Sequence, residues 1–275
     1  DKGISRIEKS IAKLASKDVK KGKLTEDQAK DWATEVRGRI TGSINREDLA
    51  DCDLVVEAIV EDLDAKKELF GALGKLCKAE TIFASNTSSF PVAEMAVASG
   101  RPERFVGLHF FNPVQLMRLV EVVRTDATDE DVYAAARAFG EACGKTPVSC
   151  KDTPGFVVNR LLVPYMVQAI NMLDRGDASA ADIDAAMQLG CGHPMGPLTL
   201  TDYVGLDTTL SILEGWCERY PNEPAFGIPD SLRSKVAEGK LGRKTGQGYY
   251  TWEGDKKSRC LLQFFSCWPP WSRPW

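Results

Sequence analysis

A chain of 275 residues is long enough for one large domain or two ordinary ones, each with a substantial core. The formal net charge is −4 and the basic residues are dispersed, which leaves no electrostatic footprint for nucleic acid or an anionic membrane surface. No apolar run approaches the roughly 20 residues of a membrane span, and the eight cysteines form neither a CxxC pair nor a Cys/His cluster, so no metal site or disulfide framework is expected and a reducing compartment fits best.

The opening Asp1-Lys-Gly-Ile has no initiator methionine and no signal-peptide pattern, and it runs straight into a helix, as though the chain began inside a domain. Apolar residues at Ile4, Ile7, Ile11, Leu14 and Ala15 predict that helix to about residue 20. Thr25-Glu-Asp-Gln28 reads as a capping box opening a second helix, and 39–41 is expected as a short strand. Strands and helices then alternate: strand 54–59, helix 63–77, strand 81–84, short helix 91–98, strands 105–109 and 119–124, helix 129–143, strand 146–149. Val-, Ile- and Leu-rich strands separated by helices predict a mostly parallel sheet covered on both faces. Cys52, Cys77 and Cys143 fall in these runs and are expected as buried, reduced side chains.

Asp152-Thr-Pro-Gly155 is a turn-rich junction, after which nearly every run is helical: 156–173, 178–189 with Ser179 as cap, and one or two helices over 198–220. The expected organisation is an α/β domain over 1–150, with a helical hairpin at 3–37, then an all-α domain over 151–254. The segment 255–275, rich in Trp and Pro, shows neither helix nor strand period and carries no functional expectation.

His109 is one of two histidines and ends an apolar strand run. Imidazole ordinarily titrates nearest neutral pH, which suits a general base. Glu121 lies in Leu119-Val-Glu-Val-Val123, where a lone carboxylate is costly to bury without a partner. If the two strands are neighbours, the carboxylate can orient the ring and stabilise the imidazolium. Otherwise His109 is a core residue bonded to a backbone carbonyl and Glu121 sits on an exposed strand face. Polar loops follow three strands, at 60–66, at Ser85-Asn-Thr-Ser-Ser89 and at 109–112, and in doubly wound sheets such loops converge on one crevice. Taken alone, Ser88 or Ser89 before Pro91 is better read as a helix cap. Asn159, in the first turns of an apolar helix, satisfies a loop carbonyl or reaches across the junction to a substrate oxygen.

Seven strings in order, Val56-Glu-Ala-Ile-Val-Glu61, Ala84-Ser-Asn-Thr-Ser-Ser89, Gly107-Leu-His-Phe-Phe-Asn-Pro113, Pro154-Gly-Phe-Val-Val-Asn-Arg160, Pro194-Met-Gly-Pro197, Asp202-Tyr-Val-Gly-Leu-Asp207 and Lys244-Thr-Gly-Gln-Gly-Tyr249, resemble the monofunctional L-3-hydroxyacyl-CoA dehydrogenase family. The resemblance implies a Rossmann-type domain followed by a helical one, NAD as cofactor, an acyl-CoA substrate and a homodimer formed through the second domain. It implies interconversion of (S)-3-hydroxyacyl-CoA and 3-oxoacyl-CoA, as in fatty-acid β-oxidation or 3-hydroxybutyryl-CoA metabolism. The compartment would be the mitochondrial matrix in a eukaryote and the cytoplasm otherwise. By the same resemblance, His109 is the base, Glu121 its orienting carboxylate, and Ser88 and Asn159 complete the polar set around the substrate oxygen. Glu61, Lys66, Ser88, Asn112 and Lys244 match NAD contacts, and Ser10 and Lys17, on one face of the first helix, match coenzyme A contacts. Helix-surface Ser and Lys are also commonly just solvated.

The family opens with a strand, a GxGxxG turn and a ribose-binding acidic residue, none of which occurs here; Gly242 to Gly248 lies far from any first strand. The pyrophosphate sits on the amides of that turn. The sequence is therefore expected to be N-terminally incomplete, with a sheet lacking a central strand, and the segment alone to bind NAD poorly. The alternatives are an inactive remnant that only dimerises and a related dehydrogenase acting on a sugar acid.

Overall fold

A computed structural model describes residues 2–257. Two antiparallel helices open it, α1 (Lys2–Lys20) and α2 (Glu26–Gly38), packed on each other through Ile11, Ala15 and Ala29. The capping box forms: Thr25 Oγ1 accepts the Gln28 amide at 3.2 Å, and Gln28 Oε1 accepts the Thr25 amide at 2.9 Å. The expected strand at 39–41 is absent. Arg39 caps α2, the Ile40 amide bonds back to Arg37, and among the described residues the segment meets no neighbouring strand that could satisfy an extended backbone.

The sheet follows the predicted order, with strands β1 (Leu54–Glu57), β2 (Ile82–Ser85), β3 (Phe105–Phe110), β4 (Leu119–Arg124) and β5 (Thr146–Lys151). They lie side by side in that order, β1 to β3 parallel, β4 antiparallel to β3, and β5 parallel to β4. Helices α3 (Leu63–Leu76) and α4 (Val92–Ala98) cover one face around Phe70, Phe83 and Phe105, whose ring centroids lie 4.6 to 6.4 Å apart. Helix α5 (Glu130–Ala142) covers the other through Val132 and Ala136 against Val106, Leu108, Val120 and Val122. Burying such side chains is worth about 1.5–3 kcal/mol each, which is what holds the helices to the sheet.

The second half is helical: α6 (Val158–Asp174), α7 (Ala180–Cys191), α8 (Pro197–Val204), α9 (Leu206–Arg219) and α10 (Asp230–Ala237). Their core gathers Ile170, Leu198, Leu213, Trp216 and Phe226. Ser179 caps α7 as expected, its side chain accepting the Asp182 amide. A small hairpin, β6 (Trp252–Glu253) and β7 (Lys256–Lys257), closes the described chain, so most of the segment set apart as 255–275 lies outside the described residues. All six cysteines among the described residues are free; Cys77 is buried and Cys52 half-buried, but Cys143, which caps the end of α5, is exposed.

Candidate active site

His109 and Glu121 are register partners across the antiparallel β3–β4 pair, so their side chains emerge opposite one another on the same face. His109 Nδ1 lies 2.7 Å from Glu121 Oε2. Both are buried, at 4% and 0% exposure. An ionised carboxylate only accepts, so Nδ1 carries the proton and Nε2 is left as an acceptor. Ser88 Oγ stands 3.1 Å from that Nε2, and Phe111 and Phe156 flank the ring. The ring bonds a carboxylate rather than a backbone carbonyl, and the glutamate is not on an exposed face. The arrangement can accept a proton at Nε2 and stabilise the resulting imidazolium from Nδ1.

Glu121 has a second set of partners. Its Oε1 accepts the amides of Val157 at 3.1 Å and Val158 at 2.8 Å, at the start of α6. The turn that aims these amides needs unusual backbone: Gly155 has φ 74° and Phe156 φ 55°. A Cβ on Gly155 would meet the Trp216 ring at 2.5 Å. Asn159, the second residue of α6, donates to the Ser88 carbonyl at 3.3 Å. It thus bonds a loop carbonyl, but one on the loop that carries Ser88.

Glu61 organises the same loop, accepting from Thr87 Oγ1 at 2.6 Å, the Ser88 amide at 3.0 Å and Ser89 Oγ at 3.2 Å. Lys66 Nζ pairs with Glu61 at 2.8 Å and with Glu57 at 2.9 Å. Burial pushes the Glu61 carboxyl up, but bonds from Lys66, Thr87 and the Ser88 amide outweigh it and hold the group below its ordinary range. Neither serine caps α4. Asp152 does so from the interdomain junction, accepting the amides of Val92 at 3.0 Å and Ala93 at 2.8 Å, which frees Ser88 to face the histidine.

A cleft of about 840 Å³ runs beside this cluster, lined by Glu61, Lys66, Asn86 and Ser88 on one wall and by Asp207 and Arg219 of α9 on the other. Lys244 is exposed and does not line it, but its Nζ holds the Asp207 carboxylate at 2.5 Å. Asn112 is exposed in the loop after β3, before a cis bond to Pro113, and does not line the cleft. Ser10 and Lys17 sit on α1, also away from its lining.

Sequence reasoning passed over four buried or half-buried acids. Glu57 lies in an apolar strand run as Glu121 does, a signal that was available. Asp152 is the cap just described. Asp184 accepts the Leu198 and Thr199 amides at 2.8 and 3.0 Å, capping α8, and a Cβ on Gly196 would come within 2.3 Å of its carboxyl carbon. Asp202 accepts the amides of Tyr249 and Tyr250 and the Trp252 indole N–H, at 2.8 to 2.9 Å. The strings around Pro194, Asp202 and Lys244 are thus largely architectural.

Residues 1–153 match the family model described as 3-hydroxyacyl-CoA dehydrogenase, NAD binding domain, and residues 155–252 match the C-terminal domain of the same enzymes. A probable 3-hydroxyacyl-CoA dehydrogenase of Caenorhabditis elegans is 46% identical over 253 residues, 92% of this chain and 85% of that one. Mouse mitochondrial hydroxyacyl-coenzyme A dehydrogenase is 56% identical over 201 residues, 73% of this chain and 64% of the mouse protein, so the chain spans less than two thirds of that relative. The crystal structure of (S)-3-hydroxybutyryl-CoA dehydrogenase from Ralstonia eutropha superposes with a TM-score of 0.84 at 39% identity, covering 92% of this chain and 88% of that one. The chain belongs to the 3-hydroxyacyl-CoA dehydrogenase family.

Proposed function

We propose that this chain catalyses the NAD-dependent interconversion of (S)-3-hydroxyacyl-CoA and 3-oxoacyl-CoA. The observation that carries the reading is the hydrogen-bonded series Ser88–His109–Glu121 beside the cleft. His109 Nε2 takes the proton of the substrate hydroxyl, and Glu121 stabilises the charge gained on the ring. Ser88 Oγ holds the substrate oxygen against Nε2, and Asn159 fixes the Ser88 loop through its carbonyl. The cleft lies outside the carboxyl ends of β1 and β2, where dinucleotides bind in such sheets. Its lining fits a dinucleotide: the half-buried Asn86 and Ser88 offer polar groups, and the 43% exposed Ile59 offers apolar surface for a planar ring. When bound, NAD⁺ supplies the hydride acceptor and the protein supplies position and electrostatics.

Glu61, Lys66, Asn112 and Lys244 are assigned to the cofactor side and Ser10 and Lys17 to coenzyme A, on the strength of their match to the family motifs. A homodimer through the helical domain would cover Leu161 and Leu189, which are 70% and 88% exposed there. No described helix is long and apolar enough to cross a membrane. Relatives named as mitochondrial support the mitochondrion as the compartment if the source is eukaryotic, with the matrix as the proposed site within it.

The test is NADH oxidation with acetoacetyl-CoA, followed by a series of longer 3-oxoacyl-CoA substrates. Turnover with any of them supports the assignment; no turnover across the series defeats it.

A further inference from the structure

Glu57, at the carboxyl end of β1, is 3% exposed and has no place among the groups assigned so far. Its carboxylate is fully engaged. Lys66 Nζ reaches both oxygens, at 2.9 and 3.1 Å, Ser85 Oγ donates to Oε2 at 2.6 Å, and the Ile59 amide donates to Oε1 at 2.7 Å. Lys66 is itself 1% exposed. A buried ion pair is a poor device for stability alone, because apolar side chains of similar volume serve as well or better; breaking one partner is what costs. The pair is better understood by what it orients.

Two lines of bonds run from Glu57 to the loop that carries Ser88. One passes through Lys66 to Glu61 at 2.8 Å, and from Glu61 to the Ser88 amide at 3.0 Å. The other passes through Ser85, whose Oγ accepts the Thr87 amide at 3.3 Å. Both end beside Ser88 Oγ and His109 Nε2. The geometry points to Glu57 as a positioning residue for the dehydrogenase reaction, setting Ser88 against His109 through Lys66, Glu61 and Ser85. This rests on the function proposed above. Glu57 touches neither base nor cleft, so its effect is on placement: a misfit of about 1 Å at a reacting group can cost on the order of 100-fold in rate.

The test is Glu57→Gln in the full chain, which keeps the shape and an acceptor but removes the charge facing Lys66. Expected are a roughly ten- to hundredfold fall in kcat, KM for the acyl-CoA within about twofold of wild type, and faster amide hydrogen exchange confined to 85–90. Lys66 should also become several-fold more reactive toward an amine-acylating reagent. Lys66→Met and the Glu57→Gln/Lys66→Met double variant should lose similar activity, since residues on one line of bonds are not additive. An unchanged kcat with unchanged exchange at 85–90 overturns the proposal. So does a rise in exchange spread evenly over β1 to β5 with a matching drop in Tm, which would make Glu57 a support of the fold alone. If the wild type turns over no acyl-CoA, the function assignment fails by itself, and exchange and Lys66 acylation still decide whether Glu57 sets the loop.

Discussion

Glu121 accepts the backbone amide of Val158 at 2.8 Å through the carboxylate oxygen that does not face His109. The group that orients the imidazole therefore also caps the first helix of the second domain, where the helix dipole favours a negative charge. Placement of the base and placement of that domain share one side chain. The expected consequence is a split among three variants. His109→Ala and Glu121→Gln should both lower kcat by about 10²–10⁴-fold, the usual worth of positioned acid–base catalysis, with modest loss of NAD binding. Glu121→Ala should in addition lower stability by about 3 kcal/mol, because three buried donors lose their acceptor. His109→Ala should cost clearly less. Steady-state kinetics and thermal unfolding check this, and an unchanged kcat in either of the first two variants removes that residue from the mechanism.

Glu61 gives a pH dependence whose sign is fixed. Its carboxyl is held below the ordinary value of 4.5, burial opposing and the Lys66, Thr87 and Ser88 bonds prevailing. A lowered folded value means the stabilisation is complete above that ordinary value and is lost as pH falls through the folded one. Acidification should therefore release the 86–89 loop, seen as faster exchange of the Ser88 amide relative to helix α9. Glu61→Gln should abolish that acid step. An acid step of the same size in Glu61→Gln would assign it to another carboxylate.

The sequence revealed what depends on local pattern. The capping box of Thr25 and Gln28 involves neighbours on the chain, and the runs around His109 and Glu121 showed polar residues where burial demands partners. It did not reveal partners brought together only by the folded chain. Asp152 caps α4 across the domain junction, and Asp202 gathers three donors from the far end of the helical domain. Nor could it show that 39–41 meets no strand among the described residues, since a strand needs a neighbour that local propensity does not supply. Ser88 shows both sides of this. Its loop reads as a helix cap until Asp152 is seen to fill that place.

Cys150 lies at the same junction and should be chemically silent. Burial, with the charges of Glu121 and Asp152 beside it, pushes its thiol up to about 12. The thiolate is the reactive form, so at about pH 8 almost none is present. Iodoacetamide should label the exposed Cys143 and Cys191 and leave Cys150 untouched until the protein unfolds. Mass spectrometry of labelled peptides reads the order. Labelling of Cys150 in the native protein would show that the junction opens and that Glu121 loses its cover.

The close packing at Asp202 gives the last prediction. A Cβ on Gly248 would lie 2.1 Å from Asp202 Oδ1, inside any permitted contact, and the carboxylate cannot retreat because the Tyr249 and Tyr250 amides and the Trp252 indole fix it. Gly248→Ala should therefore lower stability by about 2–4 kcal/mol, the range for strain in a closed buried network. Gly190 in α7 is the control: nothing lies within 4 Å of a Cβ there. Gly190→Ala should be neutral or stabilising by up to about 1 kcal/mol, from helix propensity. Asp202 touches neither the His109 cluster nor the cleft, so kcat per folded molecule should be unchanged in both variants. Equal stabilities for the two would mean that the loop after Lys244 can move away, and that Asp202 does not clasp it.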